Sequence, residues 1–370
     1  MSMGKKQTIG YKYYLGMHLV LCHGPIDAIT RIEVGDKEVW TGSNTGGSLS
    51  ISKGDIFGGD ESEGGISGTL DVDMGSSTQG VNSYLASTLG EYTPSFRGVV
   101  SLILRQMYLG NSQYIKQWKV RGKRTKKRTD GSAMWYSSKA EISGSSMNPA
   151  HIIHECLTDK EWGLGYPAAD IDLAALTAAA DTLYAEGMGI SLLWDSSSAI
   201  EDFIKTILEH IDGSLYVDRA TGRFKLKLSR NDYNASTLLV LDEDSIRELT
   251  SLKRSSQAEL YNSVTVKYWD IRTGDTNTVT VQDIALAAQQ GRTVGTTVDY
   301  PGFTSAELAN KVAMRDLKAL STPLLSCTLI ANRVAANLNP GDVFKLSWPR
   351  NGIDNVVMRV VSVDIGTTSD

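Results

Sequence analysis

The sequence predicts an α+β, β-rich chain in which two β-barrel-like domains flank a smaller mixed α/β domain. Three observations carry this reading. Short alternating apolar segments occupy both ends, capped amphipathic helices fill the middle, and 35 glycines stand against 8 prolines, a balance that favours tight turns between short strands. The expected domains are 1–147 with a long Gly/Ser-rich loop, 148–240 as the mixed part, and 241–370 with an inserted helix. At 370 residues the chain is long enough to bury sizeable cores without disulfide or metal staples.

The first strands come early. Ile29, Arg31, Ile32 and Val34 lead into a Gly35-Asp36 turn and then Val39-Trp40, a hairpin in which Gly supplies the positive φ of a two-residue loop. From Thr41 to Gly68 the chain is rich in Gly, Ser and Asp and reads as a long surface loop or arm. Strand character returns over Arg97–Tyr108, where Val99 to Leu104 is apolar enough for burial on both faces, and again over Tyr114–Val120. The basic run Arg121, Lys123, Arg124, Lys126, Lys127, Arg128 is the strongest charge cluster; it reads as a solvated hairpin tip or a contact with an acidic neighbouring subunit.

The middle is helical. Asn148 caps and Pro149 starts a helix carrying Ile152, Ile153 and Leu157. Asp170 or Asp172 opens a second, with Leu173, Leu176, Leu183 and Tyr184 on a stripe that ends at Gly187. Ser198 and Glu201 suggest a capping box before Ile200, Phe203, Ile204, Ile207, Leu208 and Ile211. After Gly213 a hairpin follows, Leu215 and Val217 against Phe224, Leu226 and Leu228 across an Ala220-Thr221-Gly222 turn. The last third alternates again at Val264, Val266 and Tyr268. It then gives a helix over Ala306–Leu320 and strands at Leu325–Ile330, Val343–Ser347 and Val356–Asp364. Between two of these strands, Asn339-Pro340-Gly341-Asp342 is a turn in which Pro presets φ and Gly accepts a positive one.

Composition narrows the function. A net charge of −5 is unlike a duplex-binding protein and suits a surface past which nucleic acid slides. Cys22, Cys156 and Cys327 are scattered and odd in number, as expected of thiols made in a reducing cytosol. No apolar stretch approaches the about 20 residues of a membrane span, and Leu19–Cys22 is too short and too late for a signal peptide. There is no Walker A, GxGxxG or GxSxG motif. His151, His154 and Glu155 share a helix but lack HExxH spacing, so the histidines read as surface or packing residues rather than metal ligands. Asp60, Glu61 and Glu63 lack EF-hand spacing. Glu155 with Asp159, or Asp242 with Asp244, are carboxylate pairs of the kind sugar hydrolysis uses, but without distinguishing context. We therefore assign no catalytic, cofactor-binding or metal residues, and expect structural roles for Asn148, Pro149 and Gly165 in the mixed domain and for Pro340 and Gly341 in the last.

Several segments in order resemble the tail-tip attachment and central hub family of long-tailed bacteriophages. They begin with Tyr13-Tyr14-Leu15-Gly16, then Leu21 to Asp27 around Gly24-Pro25-Ile26, then Ile32-Glu33-Val34. Asn148-Pro149-Ala150, Leu157-Thr158-Asp159 and Gly163-Leu164-Gly165 follow, then Trp194, the helix 199–211 and Gly222-Arg223-Phe224. Asn262 to Val266, Pro340 to Val343 and Met358 to Val361 complete the set. Each motif alone is a common turn or cap; their order along nearly the whole chain makes the likeness specific. Family members often continue into fibronectin-like or receptor-binding regions, whereas this chain stops at Gly366–Asp370.

The resemblance implies a homotrimer whose two barrel-like domains per subunit form a pseudo-sixfold ring. Such a ring adapts a sixfold tail tube to a threefold tip, and it closes the tube until DNA passes on infection. It further implies assembly in the host cytoplasm, residence at the virion tail tip, and partners in the distal tail or tube ring, the tape-measure protein and tip or receptor-binding fibre proteins. DNA passes the lumen without specific binding. The barrels rest on strand count together with the resemblance. Two other readings are a tail-associated cell-wall hydrolase and the hub of a related contractile injection device.

Overall fold

The computed structural model describes residues 10–194 and 198–364. Strand exceeds helix, 37% against 24%, so the chain is α+β and strand-rich. It divides into two compact units, Met1–Ala140 and Glu141–Asp370. The chain end Gly366–Asp370 lies outside the described residues.

In the first unit the elements are β1 (Tyr14–His23), β2 (Ala28–Val34), β3 (Lys37–Asn44), β4 (Gly47–Lys53), β5 (Ile66–Met74), α1 (Ser83–Leu89), β6 (Val99–Tyr108) and β7 (Trp118–Lys123). They form two sheets, ordered β1-β6-β5-β4 and β3-β2-β7, with every neighbouring pair antiparallel. One core joins the sheets: Ile29 and Ile32 of β2 meet Leu70 and Val72 of β5 and Leu102 and Leu104 of β6. The 41–68 stretch is not a loop. It completes β3, contains all of β4 and begins β5, leaving only a tight excursion over 54–65. Its Gly and Ser residues fill the solvent positions of a strand whose other face buries Leu49 and Ile51, so a true period-two pattern rests on two apolar residues.

The second unit opens with a short hairpin, β8 (Glu141–Ile142) and β9 (Ser146–Met147). Then come α2 (Pro149–Thr158), α3 (Leu173–Glu186), α4 (Ile200–Ile211), β10 (Gly213–Val217), β11 (Phe224–Leu228), β12 (Val240–Leu241) and β13 (Ile246–Arg254). The rest comprises β14 (Ser263–Asp270), β15 (Asp275–Gln282), α5 (Ile284–Gln290), β16 (Gly295–Asp299), α6 (Ala306–Leu320), β17 (Leu325–Ala331), β18 (Val343–Trp348) and β19 (Ile353–Arg359). Asp172 is the cap of α3, and Gly187 ends it in the left-handed conformation. The cap position of α4 is held by Ala199, one residue after the expected Ser198. Glu201 and Asp202 place negative charge in the first turn, where the helix dipole favours it.

Sheet β15-β14-β16 packs one face on α6, while β13-β17 and β12-β18-β19 share a core around Leu241, Phe344 and Leu346. The last strand begins and ends earlier than the sequence suggests, because its register with β18 runs from Ile353 opposite Trp348 to Arg359 opposite Val343. Among the described residues no sheet closes into a barrel. The strands group into open sheets of two to four, each with two edges.

Candidate interaction surfaces

The basic segment is a fastened structure. Arg121 lies in β7 opposite Arg31 of β2. Burial, and then the Arg31 charge, lower its pKa below the usual guanidinium value. Beyond β7, the Asp27 carboxylate accepts the Thr125 and Lys126 N–H groups at 2.6 and 2.9 Å, and Arg124 donates to the Thr129 hydroxyl at 3.1 Å. Arg128 N–H donates to Ser132 O at 2.8 Å and Met134 N–H to Lys126 O at 3.0 Å, closing a small hairpin. Lys126 and Lys127 are exposed on it; Lys123 and Arg128 are half-buried. The segment thus carries its six basic residues on β7 and the small hairpin that follows it.

A second feature of this unit is aromatic. Tyr11, Tyr14, Tyr92 and Tyr114 are largely exposed, and β1, an edge strand, adds the exposed Val20. Exposed tyrosines are what protein interfaces enrich.

The acidic candidates have structural employment. Asp60 and Glu63 pair with Lys12 and Lys116. The Asp242 carboxylate accepts from the Ser245 amide and hydroxyl at 3.0 and 2.9 Å, bonds that hold its pKa below the ordinary range. His151, His154, Glu155 and Asp159 are all buried in or just after α2. The Asp159 carboxylate accepts the Glu161 and Trp162 N–H groups at 2.8 and 3.1 Å. Among the described residues no three His, Cys, Asp or Glu side chains are grouped to hold a metal ion.

Asn148 does more than cap. Its Oδ1 accepts Ala150 N–H at 3.1 Å, and its Nδ2 donates to Ala180 O at 2.9 Å, tying α2 to α3 from a fully buried position. Pro149 occupies the first turn, and Gly165, with φ +70°, turns the chain that follows α2. At the Asn339–Asp342 turn Gly341 has φ +86°. Asp342 accepts Asn339 N–H at 2.8 Å and pairs with Lys227 of β11. Arg359 donates to Gly341 O at 2.9 Å. This turn therefore joins the β10-β11 hairpin to β18-β19, beside a shallow 270 Å³ depression lined by Tyr233, Leu238 and Leu338 among others.

Two clusters of the second unit lie outside the sequence reading. Arg230 donates to both carboxylate oxygens of Glu186, at 2.7 and 2.8 Å. Burial alone would raise the Glu186 pKa, but the guanidinium outweighs it and holds the carboxylate low. The other cluster gathers His210 of α4, Tyr300 and Phe303 of the β16-α6 connection, and Arg315 and Asp316 of α6. Arg315 donates to His210 O at 2.9 Å and to the Tyr300 hydroxyl at 3.1 Å, and Tyr300 donates to Asp316 at 2.8 Å. Glu186 and Arg230 are 44 residues apart and His210 and Arg315 are 105 apart, so neither residue of a pair carries a local signal of its partner.

Among the described residues no helix is long and apolar enough to cross a membrane. We find no curated protein that matches the chain. Residues 199–363 match a family model described as putative phage tail protein. Among solved structures, a chain of the virion of a native gene transfer agent particle is similar, with 16% identity and TM-score 0.57 over 95% of this chain and 75% of that one. A tail protein from Neisseria meningitidis MC58 matches at 11% identity and TM-score 0.34, covering 90% and 89% of the two chains. The 43 kDa tail protein of prophage MuSo2 from Shewanella oneidensis matches at 12% and 0.30, covering 88% and 90%. The first likeness is one of fold; the other two are too remote to bear on it. The family match covers 199–363, and the shared fold extends along 95% of the chain.

Proposed function

We infer that the chain is the central hub of a phage tail tip, a homotrimeric ring that adapts the sixfold tube to a threefold tip, closes the tube and opens it for DNA. The observation that carries this is the phage-tail family match over 199–363, joined to a fold shared with a virion-particle chain along 95% of the sequence. In this reading the β-rich segments 1–147 and 241–370 are the barrel-like parts that alternate around the ring, and 148–240 is the mixed part joining them in the chain. The Arg121–Arg128 segment meets an acidic neighbouring subunit. The other partners are the distal tail or tube ring, the tape-measure protein and the tip fibres. Closed symmetry limits the assembly to a ring.

A wall-hydrolase role is disfavoured by two particular carboxylates. Glu155 and Asp159 are only 3% and 7% exposed, and Asp159 is occupied by backbone amides, so neither fronts a saccharide-sized cleft. Immunogold labelling of intact particles with antibody to this chain tests the proposal. Label confined to the distal end of the tail is the expected result. Particles that carry no label, with the protein found only in the lysate, would sink it and bring a peptidoglycan-clearing assay to the front.

A further inference from the structure

His210 is 1% exposed near the end of α4, and both ring nitrogens are engaged. Nδ1 lies 2.7 Å from Thr206 O, which accepts hydrogen bonds and cannot donate them, so Nδ1 carries the proton. Nε2 then has a lone pair, and it accepts the Gly302 N–H at 3.1 Å. The ring is flanked edge-on by Tyr300 and Phe303, at 5.0 and 4.9 Å between centroids. Gly302 is held close against it: a Cβ there would lie 2.7 Å from Ile190 and 3.0 Å from His210 Nε2.

We propose that His210 is a neutral-imidazole latch fastening α4 to the Tyr300–Phe303 connection, and that acid opens it. Protonation of Nε2 sets one N–H against another, on a side chain that is buried. The charged groups around the ring pull in opposite directions. Asp299 of β16 favours the imidazolium, whereas Arg315 of α6 opposes it from the His210 carbonyl. Asp316 is taken up by Tyr300. Lys311 of α6 reaches the Glu186 carbonyl at 2.7 Å, and Arg230 is held by Glu186. Glu209, the other titratable neighbour on α4, is solvent-exposed. Burial dominates and lowers the pKa from 6.5 to about 4.

The direction of the pH effect follows. Once the latch is open, the histidine regains its ordinary affinity for a proton, so the open form binds the proton first. The closed form is fully favoured above about pH 6.5, and its advantage shrinks about tenfold per pH unit down to about 4. This latch belongs to the second unit alone and does not depend on the ring reading.

Amide hydrogen exchange on the full chain from pH 8 to 4, corrected for intrinsic rates, tests it. Protection of the Tyr300, Gly302 and Phe303 amides and of the second half of α4 should fall about tenfold per pH unit through that window. His210→Gln keeps an amide oxygen to accept the Gly302 N–H and has no proton to gain, so its profile should be flat. Gly302→Ala leaves the imidazole intact but forces the amide away, so protection should be low at every pH. A flat wild-type profile, or an equally steep one in His210→Gln, overturns the latch. If His210→Gln does not fold, nitrogen NMR of the wild-type ring decides. A proton on Nδ1 and a titration well below 6.5 support the latch, and the opposite tautomer or an ordinary titration overturns it.

Discussion

Two central strands show what a second covering layer does to a sheet. Strand β6 lies between β1 and β5, and its residues Val100 to Leu104 are all buried. Leu102 and Leu104 face the core shared with β2, while Ser101 and Ile103 face the other way and are equally hidden. The cover on that side is the connection between β5 and β6, which carries α1. Asn82 there donates to Asp71 of β5 at 2.8 Å, and Phe96 packs edge-on against His18 of β1 at 4.6 Å. Strand β14 is also central, between β15 and β16, but only one face is covered. Val264, Val266 and Tyr268 are buried on the α6 side, whereas Lys267 and Trp269 are open to solvent. An apolar run thus marks a strand covered twice, and alternation marks one covered once.

The largest expected effects break this comparison most directly. Leu102→Ala and Ile103→Ala should each destabilise the chain by about 2–5 kcal/mol in denaturant unfolding, one for each face of β6. On β14, Val266→Ala should cost about 1–3 kcal/mol, and Lys267→Ala should stay within about 0.5 kcal/mol. Were Ile103→Ala as mild as Lys267→Ala, the β5-β6 connection would be a loose flap and not a second core.

A smaller effect separates the two jobs of Asn148. Asn148→Ala removes the α2 cap and leaves Ala180 O without its donor in a buried site, so a loss of about 2–3 kcal/mol is expected. Asn148→Asp keeps an oxygen for the cap but presents a carboxylate to that carbonyl. If capping were the whole role, the aspartate variant would melt with the wild type; with the cross-helix bond included, it melts well below it. Thermal unfolding followed by circular dichroism distinguishes the two.

Asn148 also shows where the sequence is legible. A cap and a proline at N1 are local chemistry, and α2 begins where they say; α3 and α6 likewise carry their own stripes and stops. Strand β4 was hidden because Gly and Ser supply its solvent face. Strand β13, with Arg, Glu, Thr, Ser and Lys over most of its length, becomes a strand only by pairing with β17 some seventy residues on. The bond from Asn148 to Ala180 and that from Gly302 to His210 span 32 and 92 residues. No local pattern encodes such pairs, since each partner is an ordinary residue until the fold brings it opposite the other. Closure of the sheets is illegible for a related reason: strand number is written locally, but closure depends on which edges meet.

The smallest effect returns to a turn that was legible. Gly341 sits at φ +86°, a conformation that costs an L-residue about 1–2 kcal/mol, and its place beside Lys227 adds a contact at 3.3 Å for any new Cβ. Gly341→Val should therefore lower stability by at least that amount in denaturant unfolding. Pro340→Ala removes no hydrogen bond and only frees the unfolded chain, for a loss of less than about 1 kcal/mol. The pair also tests whether the turn holds the β10-β11 hairpin in place. Arg359 and Lys227 both reach it, from β19 and β11. If it does, Gly341→Val should speed amide exchange in β10-β11 as well as in the turn, and Pro340→Ala in neither. Equal stability of the two variants would mean that the glycine conformation is not what sets this turn.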